Sequence, residues 1–189
     1  MVIKLQTAAL LALAAAGYPG SAAAQLYNSS YTTLRTEDCT VISTDDFGST
    51  WACPGLRGVP VMVRESERRF RVSYGLTSTT EKAADETLPP INRLDGEIEW
   101  RVSNAEGSYK PFATILKFFV EPEDGGDTDG EVLVVTRFSP GATCHIAYID
   151  ALANPDAEAL AQQTADEKAM DFDCASKPEI VGKFEAWKR

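Results

Sequence analysis

A single histidine, His145, in 189 residues leaves little room for the commonest metal and hydrolase chemistries. A two-histidine metal site is closed off. H-E-x-x-H, G-x-S-x-G and G-x-x-x-x-G-K-[ST] are all missing, which removes the zincin, serine-hydrolase and P-loop signatures. The four cysteines form neither a C-x-x-C pair, the spacing of a redox centre, nor the paired spacing of structural zinc. No metal and no cofactor is therefore expected. Basic residues are scarce, 18 Lys and Arg against 28 Asp and Glu, for a formal net charge of −10. Such a chain repels phosphate backbones, so nucleic acid is not an expected partner.

The apolar run near the start is short. Lys4 precedes an unbroken apolar stretch from Ala8 to Ala16, and Ala22-Ala23-Ala24 follows as a small-residue cleavage site. Gly17, Pro19 and Gly20 interrupt the run well before the ~20 residues a membrane span needs. Residues 1–24 read as a secretory signal peptide, and 25–189 as one β-rich domain with no membrane span after cleavage. Export makes disulfides the expected state of Cys39, Cys53, Cys144 and Cys174. Four cysteines allow three connectivities. Cys39 and Cys53 flank a turn-rich segment and Cys144 and Cys174 flank an expected helix, which favours sequential pairing. Closing the first loop contributes ~3 kcal/mol in the chain-entropy model.

From Tyr31 onward, short β-type runs alternate with turn residues. YTTLRTEDCTVIS reads as a strand, DDFGS as a turn, TWAC as a strand and PGLRG as a loop. VPVMVRES and RRFRVSYG form a hairpin around Glu65 to Glu67. In its second strand Phe70, Val72 and Tyr74 share a core face, and Arg69, Arg71 and Ser73 a wet one. Leu76 to Gly96 is an excursion with a short helical turn across EKAADE. Strands resume with EIEWRVS, Tyr109 to Val120, EVLVVTRF and TCHIAYID. ILKFFV and VLVV, apolar at successive positions, predict strands covered on both faces. Asn154 is the expected N-cap of a helix with Pro155 at its first position, and Ala157, Leu160, Ala161, Thr164, Ala165 and Phe172 form a small-residue stripe. The tail EIVGKFEAWKR adds an edge strand. The expected fold is a mainly antiparallel sandwich or barrel-like sheet with one C-terminal helix docked on it.

Candidate chemistry is sparse. His145 titrates between pH 5 and 8 if it is left in an ordinary environment. Glu97 and Glu99 share one strand face, as a carboxylate hydrolase would require. EPEDGGDTDGE holds Glu121, Glu123, Asp124, Asp127, Asp129 and Glu131, but an EF-hand register puts Gly125 and Thr136 where carboxylates are needed, so only a looser calcium site remains open. The contrast on this acidic chain is the basic cluster Arg57, Arg64, Arg68, Arg69 and Arg71. Arginines from neighbouring strands grip carboxylate or phosphate bidentately, although Glu65 and Glu67 lie among them as ready ion-pair partners. Trp51, Trp100 and Trp187 read as packing residues.

The segments WACPGLRGVPVMVRESERRFRVSYG and CHIAYIDALANPDAEALAQQTADEKAMDFDC together resemble small exported alphaproteobacterial proteins of unassigned function. That resemblance implies a bacterial envelope setting, periplasmic or secreted, and transfers no catalytic residue. The leading expectation is a non-enzymatic binding protein for a protein or envelope ligand, with the CPGLRG loop and Arg57, Arg64, Arg69 and Arg71 as its contact surface. An inhibitor of a cationic cell-wall hydrolase such as lysozyme suits the acidic charge electrostatically. A carboxylate-based envelope hydrolase is the third reading.

Overall fold

A computed structural model describes residues 26–122 and 128–186. The signal-peptide reading, three loop carboxylates (Glu123, Asp124, Asp127) and Trp187 lie outside those residues. Ten strands form two sheets. Strands β1 (Tyr27–Thr33), β6 (Asn92–Ser103), β7 (Lys110–Val120), β8 (Gly130–Arg137), β9 (Cys144–Asp150) and β10 (Glu179–Val181) make the larger sheet in that order. Strands β2 (Thr40–Asp45), β3 (Gly48–Pro54), β4 (Pro60–Ser66) and β5 (Arg69–Tyr74) make the smaller one. All neighbours are antiparallel except β10, which joins β9 in parallel as the expected edge strand of the tail.

The two sheets face each other across an apolar core. Val61, Val63, Val72 and Tyr74 come from the small sheet, and Ile98, Trp100, Leu116, Phe118, Val132 and Val134 from the large one. Burying each aliphatic or aromatic side chain of this kind contributes ~1.5–3 kcal/mol. Ala113, Ile115, Leu133, Val135, Ala147 and Ile149 point the other way, against helix α1 (Ala157–Lys168). The large sheet is therefore covered on both faces, as its continuous apolar runs predict. Ala157, Ala161, Ala165 and Ala169 form the stripe that meets it. Both disulfides follow the sequential pairing, Cys39 to Cys53 and Cys144 to Cys174.

Three local expectations are corrected. YTTLRTEDCTVIS is not one strand: the chain turns at Leu34, whose N–H donates to Gly96 O at 2.8 Å, passes a 3-10 turn at Thr36–Asp38, and crosses to the other sheet as β2. The helix starts at Ala157 with Asp156 at the N-cap position, so Asn154 is not its cap. The buried Asn154 amide instead donates to Asp150 O and Lys183 O and accepts from Lys183 N–H, which ties down the C-terminal tail. Ser73, placed on the wet face by alternation, is fully buried, because the 3-10 turn at Lys82–Ala84 packs against β5.

The excursion ends earlier than expected, because Asn92 to Leu94 already pair with β7 and β6 begins at Asn92 rather than at Glu97. Its side chains and that of Asn92 dress strand positions that lack a neighbour. Glu81 accepts from Gly141 N–H (2.6 Å) and Thr143 N–H (2.9 Å), and Glu86 accepts from His145 N–H (2.6 Å) at the start of β9. On β5, the Phe70 N–H donates to Asn92 Oδ1 and the Phe70 carbonyl accepts from Thr87. Side chains here replace the missing neighbour strand.

Candidate functional site

Strand alternation decides where the arginines go. On β4 and β5, Val61, Val63, Val72 and Tyr74 turn inward, so Arg64, Arg69 and Arg71 fall on the outer face of the small sheet. The register sets Arg64 directly opposite Arg71. Like charges in that position destabilise a sheet. Arg64 donates to Ala84 O (2.7 Å) and to Asp85 (3.2 Å), while its Nε is buried with no hydrogen-bond partner among the described residues. Arg69 pairs with Glu67 at 2.5 Å. Arg71 donates to Ser66 Oγ at 2.9 Å and has no carboxylate within ion-pairing distance among the described residues. Burial, and then the charges of Arg64 and Arg69, draw its guanidinium below its ordinary pKa against the opposing pull of Glu67 and Asp85.

Arg57 does not join this cluster. It sits at the other end of β4, in the CPGLRG loop, where its guanidinium stacks 3.7 Å from the Tyr109 ring centroid. Gly55 lets the loop press onto the core: a Cβ there would stand 2.9 Å from the Trp100 ring and 2.5 Å from Val59 O. The backbone then turns left-handed at Arg57 (φ 50°), a conformation unusual for a residue with a side chain. Beside the loop lies an open apolar groove of about 500 Å³, walled by Val59, Pro60, Leu76, Phe138 and Pro140 with Arg57 at its rim. Leu76 is 95% exposed. Sequence reading found the loop but not its partners, because Leu76 reaches it through the pairing of β5 with β4 and Phe138 through the packing of one sheet on the other.

The other candidates are placed as follows. His145 is fully buried, with Nδ1 at 3.0 Å from the Tyr148 hydroxyl, and its imidazole is pushed down to about 3 by burial and then by Lys82. Its environment is not the ordinary one that titration between pH 5 and 8 requires: the ring is buried and hydrogen-bonded in the core. Glu97 and Glu99 line one cleft with Asp95 and Glu158. Glu99 accepts from Ser29 and from Gln162 (2.9 Å) and lies 3.6 Å from Arg101, which itself clamps Asp166 of α1 at 2.5 Å and 2.9 Å. Those contacts bolt the helix to the sheet. Of the acidic loop, Glu121 pairs with Arg68, Asp129 with Arg93 and Glu131 with Lys117. Among the described residues no group of three or more His, Cys, Asp or Glu is placed to hold a metal ion. Trp100 is enclosed in the core, donating to Thr32 Oγ1 at 2.8 Å, whereas Trp51 is only partly buried.

Glu81 and Glu86, which hold the start of β9, carry no sequence signal beyond their charge, since their partners lie about 60 residues away. The two disulfides fit a protein that folds outside a reducing compartment, and no helix among the described residues is long and apolar enough to cross a membrane. No family model, no curated protein and no solved structure matches the chain.

Proposed function

We propose that this is an exported, non-enzymatic binding protein of the bacterial envelope that recognises an anionic group of its ligand, a carboxylate or phosphate, through the arginine face of the small sheet. The observation that carries the reading is the directly opposed pair Arg64 and Arg71, flanked by Arg69, on a chain of net charge −10. A bound anion would relieve the repulsion between the two guanidiniums and accept their forked donors bidentately. The signal-peptide pattern of the sequence at 1–24 and the two disulfides support this reading of export.

Thermal unfolding in citrate, in inorganic phosphate and in chloride at matched ionic strength tests this. The protein is expected to melt higher in citrate or phosphate than in chloride. Arg71→Gln is expected to stabilise the chloride form by roughly 0.2–1 kcal/mol, the size of a cross-strand term, and to erase the anion-specific gain. A variant that melts lower in chloride while keeping the anion response would remove the arginine face as the site.

A second reading has its own observation. The cleft lined by Asp95, Glu97, Glu99 and Glu158, with the exposed Tyr31 beside it, suits a cationic protein surface such as that of lysozyme. Salt-sensitive binding of lysozyme that weakens in Glu97→Gln would favour it.

A further inference from the structure

At the end of the sandwich opposite the Arg57 groove, the sheets part around a cleft of about 380 Å³. Its aromatic lining is Trp51 and Phe70 from the small sheet and Phe119 from the large one. Its polar lining comprises Glu65 and Asn92, whose side-chain oxygens accept from Arg68 N–H and Phe70 N–H, and two ion pairs. Arg68 donates to Glu121 at 2.6 Å, and Arg93 donates to Asp129 at 3.0 Å while its guanidinium stands 3.9 Å from the Phe119 ring centroid.

The turn that delivers Arg68 is strained. Glu67 and Arg68, the two central residues of the β4 to β5 hairpin, have φ of 53° and 59°. Two successive left-handed residues make a type I′ turn, which strongly favours Asn-Gly and has no use for a glutamate and an arginine. The turn is held by its surroundings: Arg68 N–H donates to Glu65 at 2.8 Å, and the Arg68 carbonyl accepts from Asn92 N–H at 3.1 Å. A conformation of this cost persists where the rest of the structure fixes it, and it recurs at ligand sites. Here it aims one guanidinium into the cleft.

The chemistry of the lining narrows the ligand. Each arginine already faces a carboxylate, so an anion would have to displace Glu121 or Asp129. Those carboxylates already face arginines, so a simple cation gains little. A purely apolar ligand would strand both pairs without water. What fits is an uncharged molecule rich in hydroxyls, with apolar C–H faces for the rings and paired donors and acceptors for the planar guanidinium and carboxylate groups, which the ion pairs hold in place beforehand. We propose that this cleft is a binding site for a neutral oligosaccharide, separate from the arginine face and independent of it.

Isothermal titration of the oxidised protein with maltotetraose, cellotetraose and chitotetraose, and with citrate as the anionic control, tests the proposal. At least one neutral tetrasaccharide is expected to bind. Arg93→Ala and Phe119→Ala are each expected to weaken it by ~10-fold or more, the effect of losing one well-placed hydrogen-bonding or stacking group. Arg71→Gln is expected to leave sugar binding intact, so failure of the arginine-face reading and failure of this one are told apart. Replacing the turn by Glu67→Asn with Arg68→Gly is expected to raise the melting temperature and weaken the sugar, because it relieves strain and removes a donor together. Should Arg93→Ala not fold, sugar-induced shifts of the Trp51 and Phe119 ring protons in the unaltered protein take its place. No heat from any of the three sugars at millimolar concentration, or binding that survives both cleft variants, would overturn the assignment.

Discussion

His145 shows how far a residue's surroundings can reset its chemistry. Its ring is 1% exposed and sits edge-on to Tyr148, whose own hydroxyl is held protonated, first by burial and then by Glu86. With a folded pKa of about 3 and an unfolded one near 6.5, the imidazole stays neutral in the fold while the unfolded chain takes up a proton. The unfolded state thus binds more protons throughout that window, and stability falls as the pH drops from about 6.5 towards 3, at a slope approaching about 1.4 kcal/mol per pH unit. His145→Gln, which keeps a hydrogen-bonding partner for Tyr148 but cannot titrate, is expected to flatten this slope. Urea midpoints of both proteins at pH 7, 5 and 4 give the answer, and parallel curves would show that His145 is not the titrating group. Glu81 acts lower on the same acid limb. Burial alone would raise its carboxyl, but hydrogen bonds from Thr77, Thr143 and Gly141 outweigh that and hold it below the ordinary value. Its contribution is present above the usual glutamate range and is lost as the pH falls through the depressed value.

At the scale of elements, the contact between α1 and the large sheet rests on side-chain size. Ala161 and Ala165 are fully enclosed, and Arg101 with Asp166 fixes the helix along its axis. Ala161 is enclosed among the residues between α1 and the sheet, and Ala161→Leu is expected to cost about 1–3 kcal/mol, the usual penalty for overpacking. A drop in urea midpoint without a change in slope is the signature, and an unchanged midpoint would mean that the helix rides loosely. The alanine stripe was legible in the sequence because helical spacing repeats it locally. So were most of the strands, the double-covered β7 and β8, and the disulfide pairs, each announced by alternation, apolar runs or flanking turns, whereas nothing in YTTLRTEDCTVIS announced the crossing from one sheet to the other at Leu34. The start of the helix was misread at Asn154, since an Asn before Pro serves a cap and a tail clasp equally well until Lys183 is brought beside it. The candidate sites were half legible. The arginine cluster stood out by composition, but alternation and the CPGLRG loop then split it between two ends and an outer face. The cleft partners of Arg68 on the large sheet come from β6, β7 and the ends of the loop between β7 and β8, far along the chain.

Taken as a whole, the molecule sets a long-range repulsion against the exposed edge that β2 presents. Its formal charge of −10 makes copies repel one another, most strongly when salt is low. Against this, β2 lies at the edge of the small sheet with every residue exposed, and it carries neither Lys nor Pro. Ile42 on β2 is 62% exposed, and Phe47 in the turn that follows is 82% exposed. The edges of β5 and β9 are dressed by Asn92, Thr87, Glu81 and Glu86, whereas β2 keeps only a bulge between Val41 and Ser43 to spoil pairing. At β2, charge rather than edge design is what opposes pairing, and charge can be screened. Raising salt from about 0.01 M to about 1 M shortens the Debye length from ~30 Å to ~3 Å, and the weight-average mass in sedimentation velocity is expected to rise over that range. Ile42→Lys puts a charge on the edge without touching the core and is expected to keep the mass constant. Association that persists equally in Ile42→Lys would place the contact elsewhere. A wild-type mass that never changes would mean that the bulge at Val41 and Ser43 suffices to close this edge.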